Sequence, residues 1–134
     1  MTEHETRIRV RYAETDQMGV VYYANYLVWM EVGRSDFCRD CGFRYRDLER
    51  EAGAFIAVAE ANCRYHASAR YDDEIVLETR MVRLNRRMIE FQYTIRSAQG
   101  LVAEGRTLHV VVGSDGKPKS LPDRYIELLQ GKLA

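Results

Sequence analysis

The chain is short of proline: only Pro118 and Pro122 occur, and no repeat or low-complexity stretch accompanies them. With no Pro-rich or Gly/Ser-rich linker there is no sign of a domain boundary, so residues 1–134 read as a single domain. Net charge is missing too, because 20 Lys and Arg balance 20 Asp and Glu. That removes the electrostatic ground for a nucleic-acid surface or a membrane-binding patch. No apolar run approaches the roughly 20 residues that a membrane span needs. The opening MTEHETRIRV has neither the apolar core of a signal peptide nor the Arg-rich, acid-poor character of a transit peptide. A cytoplasmic location is expected.

Cysteine is scarce and odd in number, three in all, which fits a reducing compartment better than a disulfide framework. Cys38 and Cys41 form a CxxC, but no second Cys or His pair follows at zinc spacing and no strand precedes the motif. Buried structural thiols are the expectation. His4, His66 and His109 are scattered, so they suggest no metal cluster.

What the chain does have is 46% hydrophobic residues in 134, enough to bury a core, and a legible order of patterns. A short strand is predicted from Arg7 to Tyr12, where Ile8 and Val10 alternate with arginines, and a loop with Asp16 and Gly19 follows. From about Ala24 to Cys41, Tyr26, Trp29, Met30, Gly33 and Phe37 recur at spacings of three and four, the mark of an amphipathic helix. Gly42 is placed to cap it. Gly33 costs about 1 kcal/mol against alanine inside a helix, which makes sense if the helix lies very close to something broad, such as a sheet. A short helical piece over Tyr45–Glu51 and a strand over Phe55–His66 come next.

Three clearer strands follow over Glu74–Leu84, Met88–Arg96 and Val102–Val112, joined by the short turns LNRR and SAQG into an antiparallel meander. Pro122, Asp123 and Glu127 with Gly131 mark a small C-terminal helix, Pro122 taking its first position. One long helix with a single curved antiparallel sheet to cover is an α+β layer architecture.

The segment least explained by packing is TDQMGVVYYANY. Asp16 could be an ordinary turn aspartate, since DQMG suits an Asx-type turn. Against that, Asp16 precedes the helix start by seven or more residues, too early to be its cap. The apolar MGVVYY between them predicts a low-dielectric slot, where a carboxylate interacts strongly with what enters. The helix start adds free N–H groups and partial positive charge, which can stabilise an oxyanion. Carboxylate, apolar slot and helix N-terminus are the parts needed to cleave an activated acyl group.

The stretch Tyr12–Arg34, especially D-x-x-G-V-V-Y-Y-A-N-Y followed by W-M-E, resembles the signature of hotdog-fold acyl-CoA thioesterases of the 4-hydroxybenzoyl-CoA thioesterase and YbgC-like group. RYDDEIVLET and PDRYIELL are similar to later segments of that group. The resemblance implies a five-stranded antiparallel sheet wrapped around one long central helix, a homodimer joined sheet edge to sheet edge, and often a tetramer of two dimers. It places the site at the dimer interface, with Asp16 as nucleophile or general base and the Tyr23 backbone N–H polarising the thioester carbonyl. Many YbgC-like members have histidine where Tyr23 stands and the aryl-CoA branch has tyrosine. A backbone N–H survives either residue, so the motif implies the reaction and not the acyl group.

Gly19, Val20 and Tyr26 go with the motif as substrate-contacting positions. Glu31 matches a family position that can touch the acyl group, its plain alternative being a solvated charge near Arg34. Ser68 matches one that reaches the thioester across the dimer, its alternative a loop hydroxyl. Arg86 and Arg87, a basic pair at a hairpin tip, suit the phosphates of coenzyme A through their planar forks, or simply solubilise the turn. No metal or redox cofactor is implied, because coenzyme A enters as part of the substrate, and an acyl carrier protein could take its place. Two other readings stand beside the hydrolase. A hotdog acyl-CoA hydratase or dehydratase would need a histidine paired with an acid, and none lies between His4 and His66. A non-catalytic acyl-binding dimer would use the slot alone.

Overall fold

The helix expected around Gly33 runs over Asn25–Cys41 (α1) and ends at Gly42, as its pattern predicts. Gly33 faces a sheet at very short range. A Cβ on it would stand 2.4 Å from Leu77 Cδ2 and 2.7 Å from Thr79 Oγ1, so the glycine is what permits the approach. The computed structural model describes residues 3–134. Its strands are β1 (Glu3–Arg9), β2 (Phe55–Tyr65), β3 (Glu74–Leu84), β4 (Met88–Ser97) and β5 (Gly100–Val112). Two short helices, α2 (Tyr45–Ala52) and α3 (Asp123–Gln130), and a 3₁₀ turn over Tyr12–Glu14 complete the described elements.

The five strands form one antiparallel sheet in the order β1-β3-β4-β5-β2. With α1 against one face, this is the hotdog arrangement that the sequence led us to expect. Alternation decides which side chains meet the helix. Leu77, Ile95 and Ala103 form one buried row across β3, β4 and β5, and Met81, Phe91 and Thr107 form another. Trp29, Met30 and Phe37 from α1 are fully buried against this face. Each such side chain contributes roughly 1.5–3 kcal/mol by leaving water. The opposite face carries Arg80, Gln92 and Arg106 in one cross-strand row, with Val76, Met88, Leu108 and Val110 among the apolar residues on the same face.

Several boundaries differ from expectation by a residue or more, and three of them have a physical reason. β1 spans Glu3–Arg9 rather than Arg7–Tyr12, and Tyr12–Glu14 form a 3₁₀ turn. The charged start of β1 is held by polar anchors: His4 Nε2 and Thr6 Oγ1 both reach Asp36 Oδ2 on α1, each at 2.8 Å. Hydrophobic alternation cannot reveal a strand held that way. Pro122 precedes the first turn of α3 as its N-cap instead of opening it. The third difference is a gain of two residues at the start of β5, where Gly100 continues the tight turn from β4.

β2 pairs with β5, not with its sequence neighbour β3, so the connection over residues 66–73 crosses one end of the sheet. The other edge of β2 has no strand beside it among the described residues. Cys38, Cys41 and Cys63 are free thiols. Burial pushes Cys38 up to about 12 and Cys41 up to about 11, the reverse of a reactive thiolate. Among the described residues, no helix is long and apolar enough to cross a membrane.

Candidate active site

Asp16 sits in a tight loop at the end of the sheet where β1 finishes and β3 begins. Thr15 and Val21 bridge the base of the loop, Asp16 N–H donates to the Val20 carbonyl at 2.9 Å, and Gly19 N–H donates to the Asp16 carbonyl at 2.9 Å. Gly19 has φ +79°, a left-handed conformation that a residue with a side chain adopts only under strain. One carboxylate oxygen of Asp16 accepts the Met18 N–H at 2.9 Å. The Asx turn weighed from the sequence is therefore present. It leaves the second oxygen with no partner among the described residues.

A buried neighbour fixes this loop to the helix. Glu14 is only 5% exposed. Its Oε1 accepts the Arg11 N–H at 2.8 Å, and its Oε2 accepts Trp29 Nε1–H at 2.9 Å, a full turn inside α1. The Glu14 carbonyl takes both the Tyr22 N–H and Asn25 Nδ2–H, each at 2.9 Å. Four bonds from one residue thus set the Asp16 loop against the start of α1. In the sequence Glu14 looks like any loop acid, and only its spacing of three from Arg11 hinted at a local cap. Truncating it by Glu14→Ala strands the buried Trp29 indole N–H and frees the part-buried Arg11 N–H, and we expect a loss of about 2 kcal/mol. A denaturant midpoint that drops accordingly, with an unchanged slope, is the check.

The helix start offers open donors. Asn25 N–H goes to Tyr22 O at 2.9 Å and Tyr26 N–H to Tyr23 O at 3.4 Å, whereas the Tyr23 and Ala24 N–H groups have no acceptor among the described residues. Free amides at the positive end of a helix dipole favour an anionic oxygen. Tyr22 and Tyr23 pack ring to ring at 4.5 Å. Hydrogen bonding to the Tyr23 hydroxyl, with the Asp16 charge as a weaker cause, holds the Tyr22 phenol above its ordinary range.

Beside Asp16 lies an open cleft of about 630 Å³ lined by Tyr12, Ala13, Thr15, Asp16 and Gln17, which the helix start does not line. Tyr12 (78% exposed) and Tyr71 meet edge to face at 5.7 Å beside it. The low-dielectric slot expected from MGVVYY is not closed by this chain alone, since Met18 and Tyr23 stand 79% and 61% exposed.

The other sequence-selected residues divide. Val20 is half-buried in the loop, and Ser68 is exposed beside Ala69, whose carbonyl takes the Val21 N–H at 2.8 Å. Both belong to the Asp16 cluster. Tyr26 is 2% exposed and packs on Trp29 and Tyr65 at 5.0 and 5.1 Å, inside the core. Glu31 is exposed on the face of α1 shared with Leu27, Val28 and Val32, and makes no ion pair with the buried Arg34. Arg86 and Arg87 stand at the far tip of the β3–β4 hairpin, where Arg86 pairs with Asp123. The eleven-residue length of β3, about 30 Å, separates them from Asp16 in the same chain. Two residues that the sequence did not single out also border the loop. Arg70 brings Nη1 to 4.0 Å from where a Cβ on Gly19 would stand, and Tyr65 donates to the Tyr23 carbonyl.

The family model for the thioesterase superfamily matches residues 18–104. The chain belongs to that superfamily. It is 40% identical to a putative acyl-CoA thioesterase, YneP, of Bacillus subtilis, over 87% of this chain and 88% of that one. A hypothetical protein from Thermus thermophilus superposes with a TM-score of 0.92 at 35% identity, covering 98% of both chains. A DHNA-CoA thioesterase from Staphylococcus aureus superposes with a TM-score of 0.88 at 34% identity, over 97% of this chain and 87% of that one.

Proposed function

We propose that this protein hydrolyses acyl-CoA thioesters, with Asp16 as nucleophile or general base and the Tyr23 amide as oxyanion donor. The observation that carries the proposal is the joining of the two by Glu14: a carboxylate oxygen and an amide N–H that both lack a partner among the described residues, held in one loop cluster. In the reaction an oxygen of Asp16, or of a water that gives its proton to Asp16, bonds to the thioester carbonyl carbon, the carbonyl oxygen becomes an oxyanion at the helix start, and the C–S bond then breaks; where Asp16 itself attacked, water cleaves the resulting anhydride and restores the carboxylate. Coenzyme A leaves as a thiolate and takes up a proton, and the acid is released. Each step uses the chain's own groups and water, and coenzyme A enters only as substrate. The names of the relatives, acyl-CoA and DHNA-CoA thioesterases, support the substrate class.

The active form in this proposal is a homodimer. Tyr22, Tyr23, Leu27, Val28, Val32, Val58 and Tyr65 are exposed on one chain, and β2 has an unpaired edge beside them. Exposed apolar surface next to an open strand edge favours a second copy. Antiparallel pairing of β2 with its own copy also reverses the second sheet, carrying that subunit's β3–β4 tip toward the Asp16 end of the first. That is how Arg86 and Arg87 come into play: they serve the coenzyme A phosphates of the neighbouring site, not of their own. A dimer of such dimers is the assembly proposed.

Aliphatic and aromatic acyl-CoAs offered in turn, with a dye that traps free thiol, test the reaction directly. Thiol release that is selective for one acyl class is the expected result. Acyl-CoA that binds without release at any chain length would make the protein a carrier, and a change in double-bond absorbance without thiol would make it a hydratase.

A further inference from the structure

Tyr65 is the last residue of β2, and its hydroxyl crosses to the start of α1 and donates to the Tyr23 carbonyl at 2.9 Å. Without it that carbonyl would hold only a long bond, 3.4 Å, from the Tyr26 N–H. Tyr65 therefore supplies the firmer of the two anchors at this point of the helix. The ring is braced edge-on against Tyr26 at 5.1 Å, and Tyr26 is itself buried against Trp29.

The Tyr23 carbonyl and the Ala24 N–H belong to one peptide group, and that N–H has no acceptor among the described residues. A peptide whose oxygen accepts a hydrogen bond becomes a better donor at its nitrogen, because the bonds polarise one another along the amide. We infer that Tyr65 is a positioning residue for the hydrolysis proposed above, its hydroxyl fixing and polarising the Tyr23–Ala24 peptide where the thioester oxygen is received. The Ala24 N–H then stands beside the Tyr23 N–H as a second donor to the developing oxyanion. This rests on the acyl-CoA hydrolase reading and adds to it a residue on a different element.

A purely structural role fits Tyr65 poorly. Its ring stands 45% exposed at a strand end while its hydroxyl turns inward and donates to the reacting segment. Burial of the phenol, the main cause, pushes it up to about 12, so the hydroxyl keeps its proton and donates across any working pH. It acts through the peptide and transfers no proton.

Tyr65→Phe deletes the hydroxyl and keeps the ring on Tyr26. With octanoyl-CoA and benzoyl-CoA as probes, we expect kcat to fall about tenfold, less than for outright loss of an oxyanion donor. KM should stay within about twofold, as for an interaction made mainly in the transition state. The melting temperature should hold within about 2 °C and the pH–rate profile should keep its shape. An unchanged kcat overturns the inference. So does a kcat loss matched by a large fall in melting temperature, which would mark Tyr65 as structural, or a displaced pH profile, which would mark it as a proton donor. Asp16→Asn, assayed alongside, separates the two levels. If Asp16→Asn is inactive and Tyr65→Phe equals the parent, only the role of Tyr65 fails. If the parent releases no thiol, the hydrolase reading fails and the role of Tyr65 with it.

Discussion

Asp16→Asn is expected to lower acyl-CoA turnover by about a thousandfold or more while leaving the fold intact. Both halves follow from the two oxygens of Asp16. One accepts the Met18 N–H, and an asparagine amide oxygen accepts that bond equally well, so the loop at Gly19 keeps its shape. The other has no partner among the described residues, and asparagine turns it into an NH₂ that can neither attack a carbonyl nor accept a proton from water. The substitution therefore separates the turn-forming role from the chemical one. Steady-state kinetics with the best acyl-CoA found, together with thermal melting, read the two halves. A variant within a few-fold of the parent in kcat would remove Asp16 from the chemistry. A variant that fails to melt cooperatively would mean that the loop depends on the charge itself.

Much of the fold was legible because local pattern and final contacts agree. β3, β4 and β5 are sequential hairpins whose alternating residues face one helix, and their limits over Glu74–Leu84 and Met88–Ser97 lie within a residue of expectation. Gly33 announced the close helix–sheet approach because its cost needed a reason. What escaped the sequence lies in long-range pairing. That β2 joins β5 follows from the closure of the whole sheet, and nothing in Phe55–Tyr65 names its partner. The same closure decides that Ser68 falls beside the Asp16 loop and Arg86 far from it, although one flanks β3 on each side. Glu14 was missed for another reason. A buried acid with two donors is recognisable only once Trp29 is seen to point its indole N–H back at it.

The chain is also expected to lose stability on acidification, through His109. This histidine lies fully buried between the sheet and α1. Nε2 is 2.7 Å from Thr107 Oγ1, which in turn is 2.6 Å from the Tyr93 hydroxyl. Nδ1 has no partner among the described residues, so one ring nitrogen is left unsatisfied whichever hydroxyl of this chain donates. Burial is the main cause, and the nearby Arg34 guanidinium a further one, that pushes His109 down from its ordinary 6.5 to about 4. Phe91, edge-on at 5.6 Å, offers no charge to offset this. The unfolded chain therefore binds a proton at His109 from about pH 6.5 downward, while the folded chain does so only near 4. Between those values the unfolded state holds more protons, so stability falls as pH falls, and it levels off below about 4 for this group. The gap corresponds to about 3 kcal/mol, a large share of the 5–15 kcal/mol typical of a domain. Urea midpoints measured from pH 7 to pH 4 should trace that decline, steepest once the unfolded histidine is charged. His109→Asn cannot take up a proton in this range, so its midpoint should fall distinctly less over the same interval. A parent chain as stable at pH 4.5 as at pH 7 would show that His109 is solvated or paired in the folded state, against the apolar and cationic surroundings described.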